Sequence, residues 1–180
     1  MCKVEWCNCK EYAKGYCRRH YEQVRTLGRV KRTRRDPNEV IIYEDYAEIV
    51  LYDKWGEEVG RTKISLDKVD KAKKHKWRMD VTTGYVLTTI VPNHKTLSLH
   101  RYLLDAEQGD LIDHKDRDKL NNMDDNLRFC SRSQNSINRD ILASNTSGVT
   151  GVYWHSRDKV WQVRLSVDGE DMYLGNYTDK

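Results

Sequence analysis

The sequence of 180 residues lacks any long apolar run. No stretch approaches the roughly eighteen consecutive apolar residues that a membrane-spanning helix needs. The N-terminus is basic and rich in cysteine, without the apolar region of a secretory signal, and no internal repeat or low-complexity tract is present. These absences exclude membrane-spanning and repeat architectures, and we expect a cytoplasmic protein without a membrane partner.

Size and composition favour one central domain with small appendages. The chain is long for one domain and short for two, and 38% hydrophobic beside 33% charged residues indicates a modest core. The net charge is only +4, but residues 1–35 carry eleven Lys or Arg residues against three Glu residues. We therefore expect attraction to nucleic acid mainly at the N-terminal end.

Four of the five cysteines lie within the first seventeen residues. This clustering argues against a disulfide framework, whose pairs are spread along the chain. Three thiolates and an imidazole complete a tetrahedral zinc shell. The candidate ligands, spaced C-x4-C and C-x2-H with the last two at the start of a predicted helix over 18–27, are Cys2, Cys7, Cys17 and His20. Cys9 could compete with Cys7, and reduced thiols without a metal are the alternative.

The segment 96–142 carries the clearest chemical pattern. A short apolar run at Leu111-Ile112 predicts a strand that presents Asp113 and His114, followed by a loop rich in Asp, Asn and Lys. Neighbours on a regular strand face opposite sides. Asp113 and His114 can therefore serve one site only if the strand ends or bulges there, and we expect irregular backbone at this step.

A second strand and a helix are predicted after that loop. Leu127–Cys130 alternates as a short strand would, and Ser131 or Ser133 can cap the helix that follows. Spacings of three and four place polar residues on one face of this helix, and these are Asn135, Asn138 and Arg139. The predicted order is strand, loop, strand and helix.

Asp113, His114 and Asn135 supply the groups that phosphodiester hydrolysis needs. A neutral imidazole can take a proton from water near pH 7. A carboxylate and a carboxamide oxygen are hard ligands that suit Mg²⁺ or Mn²⁺. Calcium is an alternative for so acidic a cluster, but no Gly or closing Glu falls where an EF-hand loop requires them.

This pattern resembles the HNH endonucleases of the ββα-metal fold, in particular the phage and intron-homing branch in which the last His is replaced by Asn. The resemblance rests on DH, then LNN and DNLR, then Asn in the following helix. It implies that His114 is the general base and that Asp113 and Asn135 hold one Mg²⁺ or Mn²⁺ ion. It also implies that Asn126 fixes the loop by hydrogen bonds to backbone.

Two further stretches are similar to parts of the same proteins. LHRYLL at Leu99–Leu104 matches the family's lead-in segment and places His100 near the site, although a structural role at a helix start is the alternative. Residues 1–28, with the ending AKGYCRRHY, resemble small zinc-finger modules at the front of phage HNH proteins. This implies one structural Zn²⁺ ion on the cysteine and histidine set.

The segment 29–38 is strongly basic. It is either a solvated linker or a segment that lies along a DNA groove or phosphate backbone. Its candidate DNA contacts are Arg29, Lys31, Arg32, Arg34 and Arg35. Arg139, in the predicted helix, is another candidate.

Residues 39–95 predict a β-rich segment. VIIYEDYAEIVLYD and EEVGRTKISL predict strands around a turn at 54–56, residues 67–75 predict a short helix, and KWRMDVTTGYVLTTIV predicts a hairpin that turns at Thr83-Gly84. We expect Trp55, Trp77 and Tyr85 to be core or sheet-face residues, with base stacking as the alternative.

Residues 143–180 predict a polar linker and three strands. SGVTGVYWHSRDKVWQVRL and YLGNYTD resemble the AP2-type DNA-binding domain at the C-termini of phage HNH endonucleases, in which a three-stranded sheet enters the major groove. The resemblance implies DNA contacts from Tyr153, His155, Arg157, Gln162 and Arg164. Strand alternation divides Trp154 and Trp161 between core packing and DNA contact. Four Lys or Arg residues against five Asp or Glu residues are few for a phosphate binder.

The sequence as a whole predicts an α+β protein. We expect a nuclease domain at 39–142 that contains a ββα-metal core at 96–142. A zinc module at 1–28 and its linker precede this domain, and the AP2-like segment follows it. The predicted function is cleavage of double-stranded DNA, by nicking or double-strand cleavage, in the host cytoplasm if the gene is a phage's. A monomer is favoured. An inactive DNA-binding regulator or packaging accessory is the alternative, and an RNA-directed nuclease is a third.

Overall fold

The computed structural model describes residues 1–90, 92–138, 141, 145–167 and 170–179. These residues form twelve strands and a few short helices, which confirms the predicted α+β class. The chain divides into two compact units, one of Met1–Gln108 with Asp118–Leu127 and one of Gly109–Arg117 with Arg128–Lys180. Among the described residues, no helix is long and apolar enough to cross a membrane.

The helices are short, and the longest follows Cys17. It ends at Gly28, which adopts a left-handed conformation (φ 69°) and donates its N–H to Val24 O. The predicted helix over 18–27 is confirmed. A 3₁₀ turn at Leu66–Lys68 leads into the second helix. The bounds are Arg18–Leu27 for α1, Val69–Ala72 for α2, Leu99–Leu103 for α3 and Arg132–Ile137 for α4.

Two sheets frame the first unit. The strands are β1 Val40–Ile42, β2 Ala47–Tyr52, β3 Glu58–Ile64, β4 Arg78–Met79, β5 Val86–Ile90, β6 Lys95–Ser98 and β8 Asn121–Asn122. One sheet has the order β1-β2-β3-β8, with β1, β2 and β3 antiparallel and β8 parallel to β3. The other has the order β4-β5-β6 and is antiparallel.

The hairpin between β4 and β5 turns where the sequence predicts. Asp80 Oδ1 accepts the N–H groups of Thr82 and Thr83 at 2.9 and 3.1 Å. Gly84 then adopts a positive φ of 75°, a conformation that glycine accepts without steric cost. The chain therefore reverses through a turn that Asp and Gly favour.

The core of the first unit is built around Trp77, whose Nε1 donates to Ala72 O at 2.8 Å. Asn38 fixes the backbone beside it, because its amide donates to Val50 O and Trp77 O at 2.9 Å and accepts the Trp77 N–H at 2.7 Å. The other buried apolar members are Ala47, Ile49, Leu51, Ile64, Val69, Ala72, Val86, Leu99 and Leu103. Both sheets and two helices thus contribute to one core.

The tryptophans divide between core and surface. Trp77 is 1% exposed, which confirms a core position. The expectation for Trp55 was wrong, because this residue lies in the turn before β3 and is 66% exposed, with Lys54 Nζ 4.0 Å from its ring centroid. Tyr85 is half-buried, with Lys119 Nζ 4.8 Å from its ring centroid.

The predicted order of strand, loop, strand and helix is confirmed. β7 (Ile112–His114) pairs with β9 (Leu127–Phe129), and β7 includes Asp113 and ends at His114. Ser131, not Ser133, caps α4. Its hydroxyl accepts the Gln134 N–H at 3.1 Å, while Gln134 Oε1 accepts the Ser131 N–H at 2.9 Å.

The three predicted C-terminal strands are also confirmed. β10 (Val152–His155), β11 (Val160–Val167) and β12 (Glu170–Tyr177) form an antiparallel sheet in chain order. The expected turn at Asp168-Gly169, the beginning of the expected linker at 143–144, and Arg139 lie outside the described residues.

Truncation of Trp77 tests the assigned core. Trp77→Ala removes the largest fully buried side chain, so the free energy of unfolding should fall by about 3–5 kcal/mol. Urea denaturation followed by circular dichroism measures this change. Trp55→Ala is the matched control, since it removes the same atoms from an exposed ring and should change stability little. Equal losses in the two variants would contradict the core assignment.

Candidate functional site

The three cysteines and the histidine of the N-terminal pattern form one buried cluster. The potential ligand atoms of Cys2, Cys7, Cys17 and His20 all lie within 4.8 Å of one another. His20 Nδ1 is 3.3 Å from Cys2 Sγ and 3.5 Å from Cys17 Sγ, and the Sγ atoms of Cys7 and Cys17 are 3.9 Å apart. Tetrahedral zinc with bonds of about 2.3 Å would separate its sulfur ligands by about 3.8 Å. The group could therefore hold zinc.

Secondary structure explains part of this arrangement. Cys17 is the N-cap of α1 and His20 lies in its first turn, so the helix presents both on one side. Cys2 and Cys7 come from the preceding loop, in which the Cys2 N–H donates to Cys9 O at 2.9 Å and the Cys7 N–H donates to Val4 O at the same distance. Cys9 itself is exposed and outside the cluster.

The thiols of the cluster titrate differently. Burial raises the pKa of the Cys7 and Cys17 thiols. Burial acts in the same direction on Cys2, but hydrogen bonds with His20 and with nearby backbone outweigh it and lower the pKa of Cys2 to about 6. The cluster therefore favours one thiolate, and a bound cation would stabilise the others as thiolates.

Asp36 lies on the other side of the His20 ring. Its Oδ1 is 3.6 Å from His20 Nε2 and also forms an ion pair with Arg19 Nη2. Its Oδ2 accepts Arg19 Nη1 at 2.9 Å and the N–H and hydroxyl of Thr33 at 2.9 and 3.1 Å. Although burial opposes ionisation, Arg19 and Thr33 lower the pKa of Asp36. Arg19 Nη2 lies 3.1 Å from the same Nε2, so Arg19 and Asp36 together line the side of the His20 ring that faces away from the sulfurs.

The basic segment 29–38 is an ordered part of the first unit. Lys31 forms an ion pair with Glu57, and Arg32 donates to Pro37 O at 2.6 Å while its guanidinium lies 4.2 Å from the Trp6 ring centroid. These two candidate DNA contacts therefore already have partners within the unit. The other candidates in the segment are exposed, and they are Arg29, Arg34 and Arg35.

Asp113 and His114 are both buried in the second unit. Arg128 donates to Asp113 Oδ2 through Nε at 3.1 Å and Nη2 at 2.7 Å. Asn138 Nδ2 lies 2.9 Å from both carboxylate oxygens of Asp113 and 2.7 Å from His114 O. The pair of donors fixes the carboxylate, and the Asn138 amide ties it to the backbone of the neighbouring histidine.

Arg128 and Asn138 are residues of this site that sequence reasoning missed. Two sequence features could have identified them. Arg128 follows Leu127 in the alternating strand, and Asn138 shares a predicted helix face with Asn135. Asn135 is exposed on α4. Among the hydrogen bonds of the described residues, Asp113 is joined to Asn138 and not to Asn135.

Asn126 and His100 belong to the first unit. Asn126 is buried, and its Nδ2 donates to Asn121 O at 2.7 Å, a bond from side chain to loop backbone of the kind the sequence predicts. His100 is buried in α3, with Nε2 3.4 Å from Ser98 Oγ and its ring centroid 5.2 Å from that of Tyr85. Asn122 is buried as well and donates to Thr62 Oγ1 at 2.8 Å, which anchors the loop to β3.

The C-terminal sheet places most of its candidate contacts on one face. Tyr153 lies directly opposite Gln162. Because alternate residues of a strand share a face, His155 joins Tyr153 and Arg164 joins Gln162. His155 Nδ1 is 3.2 Å from Asp158 Oδ2 without the alignment of a hydrogen bond, and Arg157 lies in the turn.

The two tryptophans lie on the opposite face of the sheet. Trp154 pairs with Trp161, and their ring centroids are 5.0 Å apart. On the first face, the Arg164 guanidinium lies 5.9 Å from the Tyr173 ring centroid. Gly151 lets the start of β10 approach the backbone of β11 closely, because a Cβ there would lie 2.4 Å from Arg164 O.

Comparison with known proteins finds similarity in the middle of the chain. Residues 105–137 match the family model for HNH endonucleases, so this stretch is similar to that family. Over 63 residues the chain is 36% identical to Protein 3.8 of Escherichia phage T7. The aligned region covers 35% of the chain and 52% of that protein. Over 92 residues the chain is 34% identical to an uncharacterized HNH endonuclease of Acanthamoeba polyphaga mimivirus, 48% of the chain and 46% of that protein.

The matches are partial. The chain spans about half the length of the curated relatives it matches. No solved structure matches. HNH nucleases typically use a divalent ion, and among the described residues the Cys and His cluster is a separate group that could hold zinc.

Serine substitutions test the composition of the cluster. Cys7→Ser should reduce the zinc content from about one ion per chain to a small fraction and destabilise the N-terminal fold, because serine is a poor zinc ligand and the short segment has little core of its own. Cys9→Ser is the matched control and should keep both zinc and fold, since Cys9 is exposed. Atomic absorption on the purified proteins measures the metal. Loss of zinc from Cys9→Ser alone would reverse the assignment.

Proposed function

We propose that this protein is a metal-dependent endonuclease that hydrolyses phosphodiester bonds of double-stranded DNA. The observation that carries the proposal is a buried Asp113 beside a buried His114 at the end of β7, within the stretch that matches HNH endonucleases. The strand, strand and helix around them support a ββα-metal core. The similarity to an uncharacterized HNH endonuclease of Acanthamoeba polyphaga mimivirus supports the same class.

His114 is the general base in this proposal. Imidazole has an ordinary pKa near neutrality, so its neutral form can take a proton from the attacking water at physiological pH. The main-chain carbonyl of His114 accepts Asn138 Nδ2 at 2.7 Å, which holds the backbone that carries the ring. Burial limits the positions that the imidazole can adopt.

Asp113 and Asn135 are the residues that would hold Mg²⁺ or Mn²⁺. Among the described residues, Asp113 Oδ1 accepts only the Asn138 amide, so a lone pair remains for a cation. The Asn135 carboxamide is exposed on α4 and has an oxygen of the type such ions bind. A bound ion supplies charge stabilisation at the phosphoryl and leaving oxygens.

Other residues support the chemistry or bind DNA in this proposal. Asn126 holds the loop through Asn121 O, and His100 lies next to the catalytic segment in sequence. The Cys2, Cys7, Cys17 and His20 cluster binds one structural Zn²⁺. The C-terminal sheet is an AP2-like reader, supported by the shared face of Tyr153 and Gln162 and by the three-stranded topology.

Cleavage of supercoiled plasmid tests the function. With Mg²⁺ or Mn²⁺ the parent should convert plasmid to nicked or linear product, and His114→Ala should be about a hundred- to ten-thousand-fold slower because the general base is lost. His94→Asn is the matched control, since His94 is exposed in a turn with a positive φ of 52° that asparagine tolerates. It should cleave like the parent.

The metal-free arm must omit chelator, because a chelator would also remove zinc from the N-terminal cluster. Absence of cleavage by the parent, with plasmid still bound and shifted equally by parent and His114→Ala, would overturn the nuclease assignment in favour of a DNA-binding regulator. Cleavage of duplex RNA in preference to DNA would overturn the substrate.

Manganese binding tests the ligand assignment separately from cleavage. Asn135→Ala should weaken Mn²⁺ binding by at least about tenfold, because even residues that only support ligands contribute on that scale. Calorimetric titration of the zinc-loaded protein measures the affinity. Ser136→Ala is the matched control on the same helix and should bind like the parent. If Asn135→Ala and Asp113→Ala bind Mn²⁺ as well as the parent, these residues are not the ligands.

A further inference from the structure

An open cleft of about 730 Å³ lies on the first unit. Two Thr side chains and one His also line it, and none of the described residues that line it is Asp or Glu. Its five basic residues come from two parts of the sequence and are Arg34, Arg35, Lys74, Lys76 and Arg78. The last three lie outside the basic segment 29–38, and only the fold brings them next to it.

The two walls of the cleft are held by backbone contacts. One wall is the turn at 33–36, which Asp36 fixes by accepting the N–H of Thr33. The other wall follows α2 and continues into β4. Lys76 Nζ donates to Arg35 O at 2.6 Å and joins the walls, and the Arg34 N–H donates to Asp53 O at 3.0 Å. The basic side chains therefore project from a fixed frame.

The basic groups of this cleft have few internal counter-charges. Within the described part of the chain, no carboxylate forms an ion pair with Arg34, Arg35 or Lys74. Arg78 interacts electrostatically with Asp80 and contributes to lowering the pKa of that carboxyl after its backbone hydrogen bonds. Like charges gathered in this way repel one another unless an anion neutralises them. The cleft therefore fits a ligand that carries several negative charges.

The lining indicates contact with phosphates and not with bases. Arg, Lys and Thr are side chains that contact phosphate oxygens. Stacking of unpaired bases requires free aromatic faces. The aromatic ring of the lining, His75, instead packs edge-on against Tyr102, with ring centroids 4.8 Å apart. A duplex, whose outer surface is its phosphate backbone, matches this combination better than a single strand.

We propose that this cleft binds the sugar-phosphate backbone of double-stranded DNA, as a contact surface of the nuclease that is independent of sequence. The proposal rests on the function proposed above and adds Lys74, Lys76 and Arg78 to the DNA interface. Arg34 and Arg35 then act together with residues of α2 and β4, and not as part of a free linker.

Salt-dependent DNA binding tests the proposal. Binding of a fluorescent duplex to the zinc-loaded His114→Ala protein, without added Mg²⁺ or Mn²⁺, is measured by anisotropy at several salt concentrations. Arg34→Gln and Lys74→Gln should each weaken binding and lower the slope of log K against log salt by about 1, and the double variant by about 2. The loss should be equal for unrelated duplex sequences.

Lys73→Gln is the matched control. It removes the same charge from the next residue along the chain, but Lys73 does not line the cleft. Its slope should equal that of the starting protein. Zinc content and the thermal midpoint of each variant establish that the fold is intact.

The outcomes separate this inference from the proposed function. Three outcomes would each overturn the cleft assignment: an unchanged slope in the double variant, an equal loss for Lys73→Gln, or an absence of DNA binding. Plasmid cleavage by the parent together with an unchanged slope would retain the nuclease and reject the cleft. A reduced slope without any cleavage by the parent would retain the cleft and reject the nuclease.

Discussion

The constraint on which much of this structure depends is that a carboxylate removed from water needs donors in its place. Leaving a charged group buried without partners costs several kcal/mol. Asp36 meets the requirement with Arg19 and Thr33, and Asp113 meets it with Arg128 and Asn138. In each case the acid lies 15 or more residues from its arginine, so one side chain joins segments that are distant in sequence.

The two acids differ in what remains available. Asp36 accepts hydrogen bonds from Arg19 and Thr33, with donors on both oxygens, so its capacity is used in holding Arg19 and the turn at 33–36. Asp113 concentrates its donors on Oδ2, while Oδ1 accepts only the Asn138 amide among the described residues. The first arrangement is that of a structural residue. Under the proposed function, the remaining lone pair on Oδ1 is the one that would face a cation.

Local sequence signals predicted most of the helices and strands. They did not predict contacts that depend on how strands pair. The helix over 18–27 has a glycine stop, Ser131 has its capping partner Gln134, and the C-terminal strands alternate. Strand β8 could not be predicted, because two asparagines carry no periodicity and their partners on β3, including Thr62 for the Asn122 side chain, are about 60 residues away in sequence. Trp55 was misplaced because apolar character does not tell whether a turn points its side chain into the core.

The candidate site shows the same division. Spacing identified the members of the Cys and His cluster, but only the fold separates Cys7 from Cys9. Charge identified the segment 29–38, but packing decides which residues remain available, since Lys31 is paired with Glu57 while Arg34 is exposed in the cleft. Asp36 connects these observations. Its Oδ1 lies 3.6 Å from His20 Nε2, and its Oδ2 accepts the Thr33 N–H in the turn that forms one wall of the cleft, so one carboxylate lies next to both the cluster and the basic surface.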